Sequence, residues 1–343
     1  SRGLGDVYKR QVHYWEVWHG NKPFSEYRKY FFRYASEFGF QSFPSVKTLE
    51  TVTDDPKELN PFSYVMEKHQ RNYGGNGKIA KYMQAAYRYP ENFSDFVYAS
   101  QLLQADGIRY GVEHYRRNRG RCMGAIYWQL NDCWPVISWS SIDYYGRWKA
   151  LHYYAKRFFA PVMLSCEEQS WMTVEADMNR QHFEFEKSIR LNVTNETLDA
   201  HRVLVKWAVR KTDATILREE EQWLEVPALS AVWMDKVELP QIDCFNEYVS
   251  YEAWENDQII SQGTVIFSYP KYFHYLNPGL AVCVDGDEIV VKAEAYAKSV
   301  EIRNENDDLI LEDNYFDMNA GEYRVKILDG KPDGLKVRSV YDI

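Results

Sequence analysis

Two patterns of hydrophobic and polar residues divide the chain near residue 161. Before that point, short apolar runs alternate with longer stretches of helical periodicity. The apolar run at 124–130 is typical of a strand buried on both faces. Short buried strands that alternate with helices predict an α/β region built on a parallel sheet. The periodicity predicts helices at 54–72, 76–89, 93–117 and 148–159.

Beyond residue 161, apolar and polar residues alternate with period two, in segments separated by turn residues. Such a pattern is typical of β-sandwiches, and a joint at 268–271 divides it into two β domains. We therefore expect a multidomain chain that is α/β first and all-β afterwards. Strands are predicted at 171–177, 182–193, 202–211, 232–239, 248–254, 259–267, 280–284, 288–295, 299–303 and 322–328.

The first eleven residues, SRGLGDVYKRQ, do not read as part of a natural domain. They lack the apolar core of a signal peptide, and the D-V-Y-K-R-Q run resembles a translated sequencing adapter. We expect residues 1–11 to be a non-native leader and the natural upstream portion to be missing. The expected domains are then 12–161, 162–270 and 271–343.

Composition narrows the classes of function. The formal net charge of −9 does not indicate binding to nucleic acid. No apolar run reaches the roughly 18 residues that are needed to span a membrane. The five cysteines lack zinc-ligand spacing, so no metal site is predicted. Aromatic residues make up 16% of the chain, which fits large aromatic cores and carbohydrate binding equally well.

The main candidate for chemistry is Glu37, in the aromatic segment YASEFGFQSFP at 34–44. A lone carboxylate among aromatic side chains is costly to bury unless it is paired or used in a reaction. Gly39 lets the backbone turn just after the predicted strand. The alternative, an edge-strand Glu that faces solvent, is equally compatible with this motif.

Two further segments carry candidate binding residues. At the end of the apolar run, Trp128 is a candidate platform for a sugar ring. Asn131 and Asp132 follow it and can bind hydroxyl groups, although a local cap or ion pair is favoured for Asp132. In HYWEVWHG at 13–20, Tyr14 either donates to a catalytic carboxylate or lies in the core, and His13 and His19 read as structural histidines.

Four segments together resemble one known family. In chain order they resemble the later catalytic half of the β-mannosidases of glycoside hydrolase family 2, and the similarity covers nearly all of residues 12–162. It continues more weakly into the β domains, where D-N-Y-F-D at 313–317 and A-G-E at 320–322 are similar to the family's terminal immunoglobulin-like domain. The four segments are HYWEVWHG at 13–20, SEFGFQSFPS at 36–45, QLLQADGIRYGVEHYRR at 101–117 and IYWQLNDCWPVISWSSIDYYGRWKALHYYAKRFFAPV at 126–162.

The resemblance implies a partial (β/α)₈ TIM barrel followed by two immunoglobulin-like β-sandwich domains. It implies a retaining hydrolase that removes terminal β-D-mannose from oligosaccharides or glycoconjugates and needs no cofactor. The family's nucleophile, the Glu of its S-E-F/Y-G motif on the seventh barrel strand, corresponds to Glu37. The Trp of its Y-W-Q-L-N-D motif, which faces the sugar from the eighth strand, corresponds to Trp128. The segment around Tyr14 and Trp15 would end the sixth strand.

One part of the family's pattern is absent. Its general acid/base is a Glu preceded by Asn at the end of the fourth strand, and no such motif precedes Glu37 here. Retaining hydrolysis needs two carboxyl groups about 5–5.5 Å apart, so we expect this chain alone to be inactive. Glu16, Glu113 and Asp132 are weak substitutes, because the resemblance gives none of them this role.

Two other functions stay open. One is a different specificity on the same scaffold, such as an endo-β-mannosidase or an exo-β-glucosaminidase. The other is a non-catalytic carbohydrate-binding protein, against which the S-E-F-G-F motif argues because a binding module does not need a buried acid. The sequence leaves open the oligomeric state and a periplasmic, extracellular or lysosomal location.

Overall fold

The computed structural model describes residues 11–174 and 184–343. Its N-terminal part contains three parallel segments side by side: β1 (Val12–His13), β2 (Ala35–Glu37) and the chain around Ala125. Backbone hydrogen bonds join them, and Ile126 N donates to Ala35 O at 2.8 Å. The predicted parallel pairing is therefore confirmed for these segments. The predicted strand at 124–130 is reduced to one bridge and its flanking hydrogen bonds.

The described residues of this part also form five α-helices, and three of the four predicted helical stretches are confirmed. The prediction of one helix over 54–72 is wrong. Pro61 has no backbone N–H to donate, and it separates a 3₁₀ turn at Pro56–Glu58 from a short helix that Ser63 caps. The helices are α1 (Val46–Leu49), α2 (Tyr64–Lys68), α3 (Gly75–Ala86), α4 (Phe93–Arg117) and α5 (Ala150–Phe158).

The first β domain is a sandwich of two antiparallel sheets around a buried aliphatic core. One sheet has the order β3-β4-β7, with β8 also on β4, and the other has the order β10-β9-β5-β6. β3 and β6 are not among the predicted strands. Nearly every side chain of β6 is exposed, so its sequence lacks the alternation that marks a half-buried strand. The strands are β3 (Val162–Gln169), β4 (Ser188–Asn195), β5 (His201–Lys211), β6 (Ile216–Val226), β7 (Ser230–Trp233), β8 (Val237–Glu238), β9 (Glu247–Glu255) and β10 (Gln258–Ile266).

The second β domain is a smaller sandwich that shares a core with the helical part. Its sheets have the orders β11-β12-β16-β14 and β15-β13-β17. Val291 and Leu311 from these sheets belong to the same buried cluster as Leu102 of α4, and the Tyr98 hydroxyl donates to Ser299 O at 2.5 Å. The strands are β11 (Ala281–Asp285), β12 (Glu288–Ala293), β13 (Ala297–Arg303), β14 (Ile310–Leu311), β15 (Phe316–Met318), β16 (Gly321–Asp329) and β17 (Lys336–Arg338).

Some predictions fall wholly or partly on residues that the structure does not describe. The expected leader lies outside the described residues except for Gln11. The predicted strands at 171–177 and 182–193 each lose one end to the undescribed residues 175–183, and Trp171–Thr173 is a 3₁₀ turn rather than a strand. Among the described helices, none combines the length and the apolar character that a bilayer crossing requires.

Candidate active site

Glu37 ends the central segment of the parallel ladder. In the register of β1 and β2 it pairs with His13, the last residue of the neighbouring strand. Parallel strands end at the same edge of a sheet, so both side chains lie at the carboxyl edge. The Glu37 carbonyl oxygen accepts from Tyr14 N at 2.7 Å. Because β2 is paired on both sides, Glu37 is not on an edge strand, and the edge-strand alternative is excluded.

The Glu37 carboxylate is held at one oxygen. Oε2 lies 2.7 Å from His13 Nδ1 and accepts from Trp15 Nε1 at 3.4 Å. Among residues 11–174 and 184–343, no hydrogen bond or ion pair engages Oε1. The side chain keeps 19% of its surface exposed. This arrangement orients the carboxylate and leaves one oxygen free to react with a ligand.

Trp128 lies beside Glu37 on the neighbouring segment of the ladder. Its backbone N donates to Phe38 O at 2.7 Å, one residue beyond Glu37. The peptide bond to Gln129 is cis. Trp128 is 45% exposed, so part of its ring is accessible to the apolar face of a sugar.

Gly39 allows the chain to pack closely behind these residues. A Cβ atom at this position would lie 2.4 Å from Trp128 O, closer than side-chain carbons approach a backbone oxygen, and a tight 3.0 Å from Trp15 Cη2. Trp139 also touches Gly39, and its ring packs edge-on against Trp15 at a centroid distance of 5.9 Å. Trp139 is not among the predicted site residues, although it lies in the same segment, 126–162, as Trp128.

Tyr14 does not meet the Glu37 carboxylate. Its ring is 5% exposed and packs against Tyr27, Tyr30 and Phe32. Its buried hydroxyl has no hydrogen-bond partner in the described chain, and burial raises its pKa far above the ordinary value. Of the two alternatives for Tyr14, the contacts therefore fit the core alternative.

The contacts of Asp132 indicate a structural role. It is 7% exposed, and its two carboxylate oxygens accept from the hydroxyls of Ser138 at 2.7 Å and Ser140 at 2.5 Å. These bonds close the loop after Trp128, as the cap alternative expects. Asn131 instead is exposed, and its Nδ2 donates to Asp132 O at 3.3 Å. The structure thus leaves Asn131, and not Asp132, accessible to a ligand.

A buried lysine contacts the same loop, because Lys149 Nζ donates to Ser138 O at 3.5 Å. Lys149 Nζ donates to the Ser42 hydroxyl at 3.1 Å and to the Ser42 carbonyl at 3.3 Å. Burial lowers its pKa to about 8, against a smaller opposing effect of Asp132 and Asp143. Sequence reasoning did not single it out, because a Lys in an amphipathic helix start reads as solvent-exposed.

The described residues contain no group of three or more His, Cys, Asp and Glu side chains that can hold a metal ion. What the site offers is an oriented carboxylate with one free oxygen, next to an exposed indole. A carboxylate in this state can attack an electrophilic carbon or accept a proton.

Comparisons with known proteins match both β domains. Residues 187–272 match the family model described as "Mannosidase Ig/CBM-like domain", and residues 276–343 match the one described as "Ig-fold domain". Both β domains are therefore immunoglobulin-like. A Beta-mannosidase B from Thermothelomyces thermophilus is 29% identical over 96% of this chain and 41% of its own length. A Beta-mannosidase from Capra hircus is 39% identical over 38% of this chain and 16% of its own length.

Solved structures agree with these matches. A crystal structure of Beta-D-Mannosidase from Dictyoglomus thermophilum superposes with a TM-score of 0.82 at 26% identity, over 96% of this chain and 40% of that one. An exo-chitosanase from Amycolatopsis orientalis shares the fold at a TM-score of 0.63 and 16% identity, over 93% of this chain and 45% of that one. The chain thus spans about two fifths of the length of the β-mannosidases that it matches over most of its own length. Over most of its length the chain is therefore similar to β-mannosidases, and its two β domains match the immunoglobulin-like family models.

Proposed function

We propose that this chain carries the nucleophile half of a retaining β-mannosidase site, with Glu37 as the nucleophile. In a protein that also contains the rest of the barrel, it would hydrolyse terminal β-D-mannose residues of oligosaccharides or glycoconjugates. The proposal rests on one observation. His13 and Trp15 both contact Oε2 of the Glu37 carboxylate and leave Oε1 without a described partner, and Trp128 lies on the adjacent segment.

In the proposed barrel, the three parallel segments of this chain are the last three strands. β1, β2 and the segment around Ala125 are adjacent, parallel and in chain order, as the sixth, seventh and eighth strands of a (β/α)₈ barrel would be. Their carboxyl ends carry the candidate residues, where such barrels place their active sites. Met123, Ile126 and Leu130 are more than half exposed, which fits a surface that further strands would cover. The same reasoning supports a catalytic unit at 12–161 and β domains at 162–270 and 271–343.

The proposed reaction uses Glu37 twice, first as nucleophile and then as leaving group. Oε1 attacks the anomeric carbon, the glycosidic C–O bond breaks, and a second carboxyl group protonates the departing oxygen. Water, deprotonated by that second group, then hydrolyses the mannosyl ester and restores the Glu37 carboxylate. The His13 and Trp15 donors stay on Oε2, where they keep the carboxylate oriented during both steps.

The second carboxyl group is not among the contacts of Glu37, whose described side-chain partners are His13 and Trp15. We propose that an upstream strand of a longer protein supplies it. Trp128 is proposed to stack on the mannose ring, with Asn131 at the rim of the site. Trp15 acts on the substrate through Glu37 rather than by direct contact.

Covalent trapping tests this proposal. The full-length protein is incubated with 2-deoxy-2-fluoro-β-D-mannosyl fluoride, digested and analysed by mass spectrometry. We expect the fluoromannosyl mass on the peptide that contains Glu37, no label in Glu37→Gln, and normal label in Glu16→Gln as the matched exposed control. A label on another residue, or none, overturns the assignment of the nucleophile. Label from 5-fluoro-β-D-glucosaminyl fluoride, which keeps the 2-amino group, together with none from the mannosyl reagent would indicate exo-β-glucosaminidase specificity instead.

A further inference from the structure

A cavity of about 290 Å³ lies where the helical part of the chain meets both β domains. Its walls come from α3 and α4 on one side, β10 of the first β domain on another, and Lys298 of the second β domain. Glu37, His13, Trp15 and Trp128 do not line it. The cavity is therefore separate from the candidate active site.

The cavity has a mouth and a floor. Asn21, Lys81 and Ala85 line it and are exposed, so they mark the opening to solvent. Leu103 and Tyr110 line it and are buried, so they form its inner end. Its volume is close to the lower limit of ligand pockets, about 300 Å³, which suits one small molecule and not an oligosaccharide.

Most of the wall is apolar or aromatic. Phe24 and Tyr82 stack on each other at a centroid distance of 5.5 Å with nearly parallel rings, and both line the cavity. Ile266 and Tyr269 contribute from the first β domain and the joint that follows it. Such a surface suits a ligand with C–H faces.

Two charged groups on the wall, Asp106 and Lys298, have hydrogen-bonding capacity left over. Arg109 donates to Asp106 Oδ1 at 3.2 Å, and Lys298 Nζ lies 3.2 Å from Asp317 Oδ2. Lys298 is buried, and among the described residues Asp317 is the one ion-pair or hydrogen-bond partner of its three N–H donors. Likewise, no described residue bonds to Asp106 Oδ2. The wall thus presents an unused donor and an unused acceptor.

Inside the cavity each charged side chain of the wall has an ion-pair partner: Asp106 pairs with Arg109, Glu168 with Arg28, and Lys298 with Asp317 behind the wall, whereas Lys81 lies exposed at the mouth. An anionic or cationic ligand would therefore bring an unpaired charge into the cavity, which is costly. A neutral polyol has no such cost, because each hydroxyl both donates and accepts.

We propose that this cavity is a second carbohydrate site that binds a single neutral pyranose. The ring C–H faces would pack on the aromatic wall, with hydroxyls donating to Asp106 and accepting from Lys298. The proposal does not depend on hydrolysis at Glu37.

Isothermal titration calorimetry on the complete chain tests the site with D-mannose, D-glucose and inorganic phosphate. We expect saturable binding of a monosaccharide and none of phosphate. Ala85→Trp, at the exposed mouth, is expected to weaken sugar binding at least about tenfold. Its matched control is Gln84→Trp, which adds the same bulk one residue away on α3 outside the cavity and should leave the affinity unchanged.

Two more variants separate this site from the active site and from misfolding. Asp106→Asn keeps the shape of the wall, and we expect it to weaken sugar binding while circular dichroism stays native. Trp128→Ala alters the candidate active site and should leave this binding intact. Absence of sugar binding, equal binding by Ala85→Trp and Gln84→Trp, loss of binding in Trp128→Ala, or preferential binding of phosphate overturns the proposal.

Discussion

His13 Nδ1 lies 2.7 Å from Glu37 Oε2, and the two residues are register partners at the ends of adjacent parallel strands. The Trp15 indole reaches the same oxygen. The contacts therefore fix the direction of the carboxylate, and Oε1 is left without a partner among the described residues. Since His13 is 43% exposed, the pair adds at most about 1 kcal/mol to the stability of the fold.

Replacing His13 should consequently harm catalysis more than folding. In the full-length protein, we expect His13→Ala to lower kcat/KM for an aryl β-mannoside by about ten- to a hundredfold, because a misplaced nucleophile loses the geometry of attack. The melting temperature should change little. His274→Ala, at an exposed position just after the joint between the β domains, is the control and should leave kcat/KM unchanged. An unaltered kcat/KM in His13→Ala would show that the contact does not position Glu37.

Gly39 is expected to tolerate no side chain. In Gly39→Ala, the new Cβ would meet Trp128 O and the Trp15 ring, so the backbone must shift and the free energy of unfolding should fall by about 1–3 kcal/mol. Gly77→Ala is the matched control, because a Cβ at that position in α3 meets nothing within 4 Å. The control should be neutral or stabilise the protein by up to about 1 kcal/mol. Urea denaturation of both variants checks the contrast, and equal effects would contradict the close packing at Gly39.

Asp132 and its neighbour Asn131 should respond in opposite ways. Asp132→Ala leaves the Ser138 and Ser140 hydroxyls without their acceptor, so we expect a loss of about 1–3 kcal/mol in the free energy of unfolding. Asn131→Ala removes an exposed side chain and should change stability by less than about 0.5 kcal/mol. In the full-length protein, Asn131→Ala should raise KM if the amide touches substrate. A destabilised Asn131→Ala with a native-like Asp132→Ala would reverse these assignments.

The long helix could be predicted from the sequence, whereas the local breaks could not all be foreseen. The prediction for 93–117 coincides with α4 because a long apolar periodicity follows the helix-capping residue Asn92. The stretch at 54–72 contains similar residues, but Pro61 interrupts it. β6 escaped detection because an exposed edge strand has no buried face to leave a pattern in the sequence.

The candidate site was predictable only in part. The aromatic surroundings singled out Glu37, and alternation along an extended chain puts His13 and Trp15 on one side and Tyr14 on the other. In the structure His13 and Trp15 both contact the Glu37 carboxylate, and Tyr14 is buried in the core, as this alternation predicts. The pairing of His13 with Glu37 could not be predicted from the sequence, because it depends on an irregular register between β1 and β2.

Lys149 gives a prediction about pH. Burial lowers its pKa to about 8, from an ordinary value of 10.5. Between pH 8 and pH 10.5, Lys149 binds more protons in the unfolded chain than in the folded chain. Stability must therefore rise with pH in this window, by at most about 1.4 kcal/mol per pH unit from this group, and the full cost of the buried charge is present below pH 8.

The comparison with Lys149→Met isolates this effect. Other groups titrate alike in both proteins, so the difference in their free energies of unfolding reports Lys149 alone. Measured by urea denaturation from pH 7 to 10, the wild-type protein should gain stability relative to Lys149→Met above pH 8. Lys206→Met, at an exposed position, should show no such trend. A difference independent of pH would mean that Lys149 keeps its ordinary pKa, and that its bonds to Ser42 offset the cost of burying its charge.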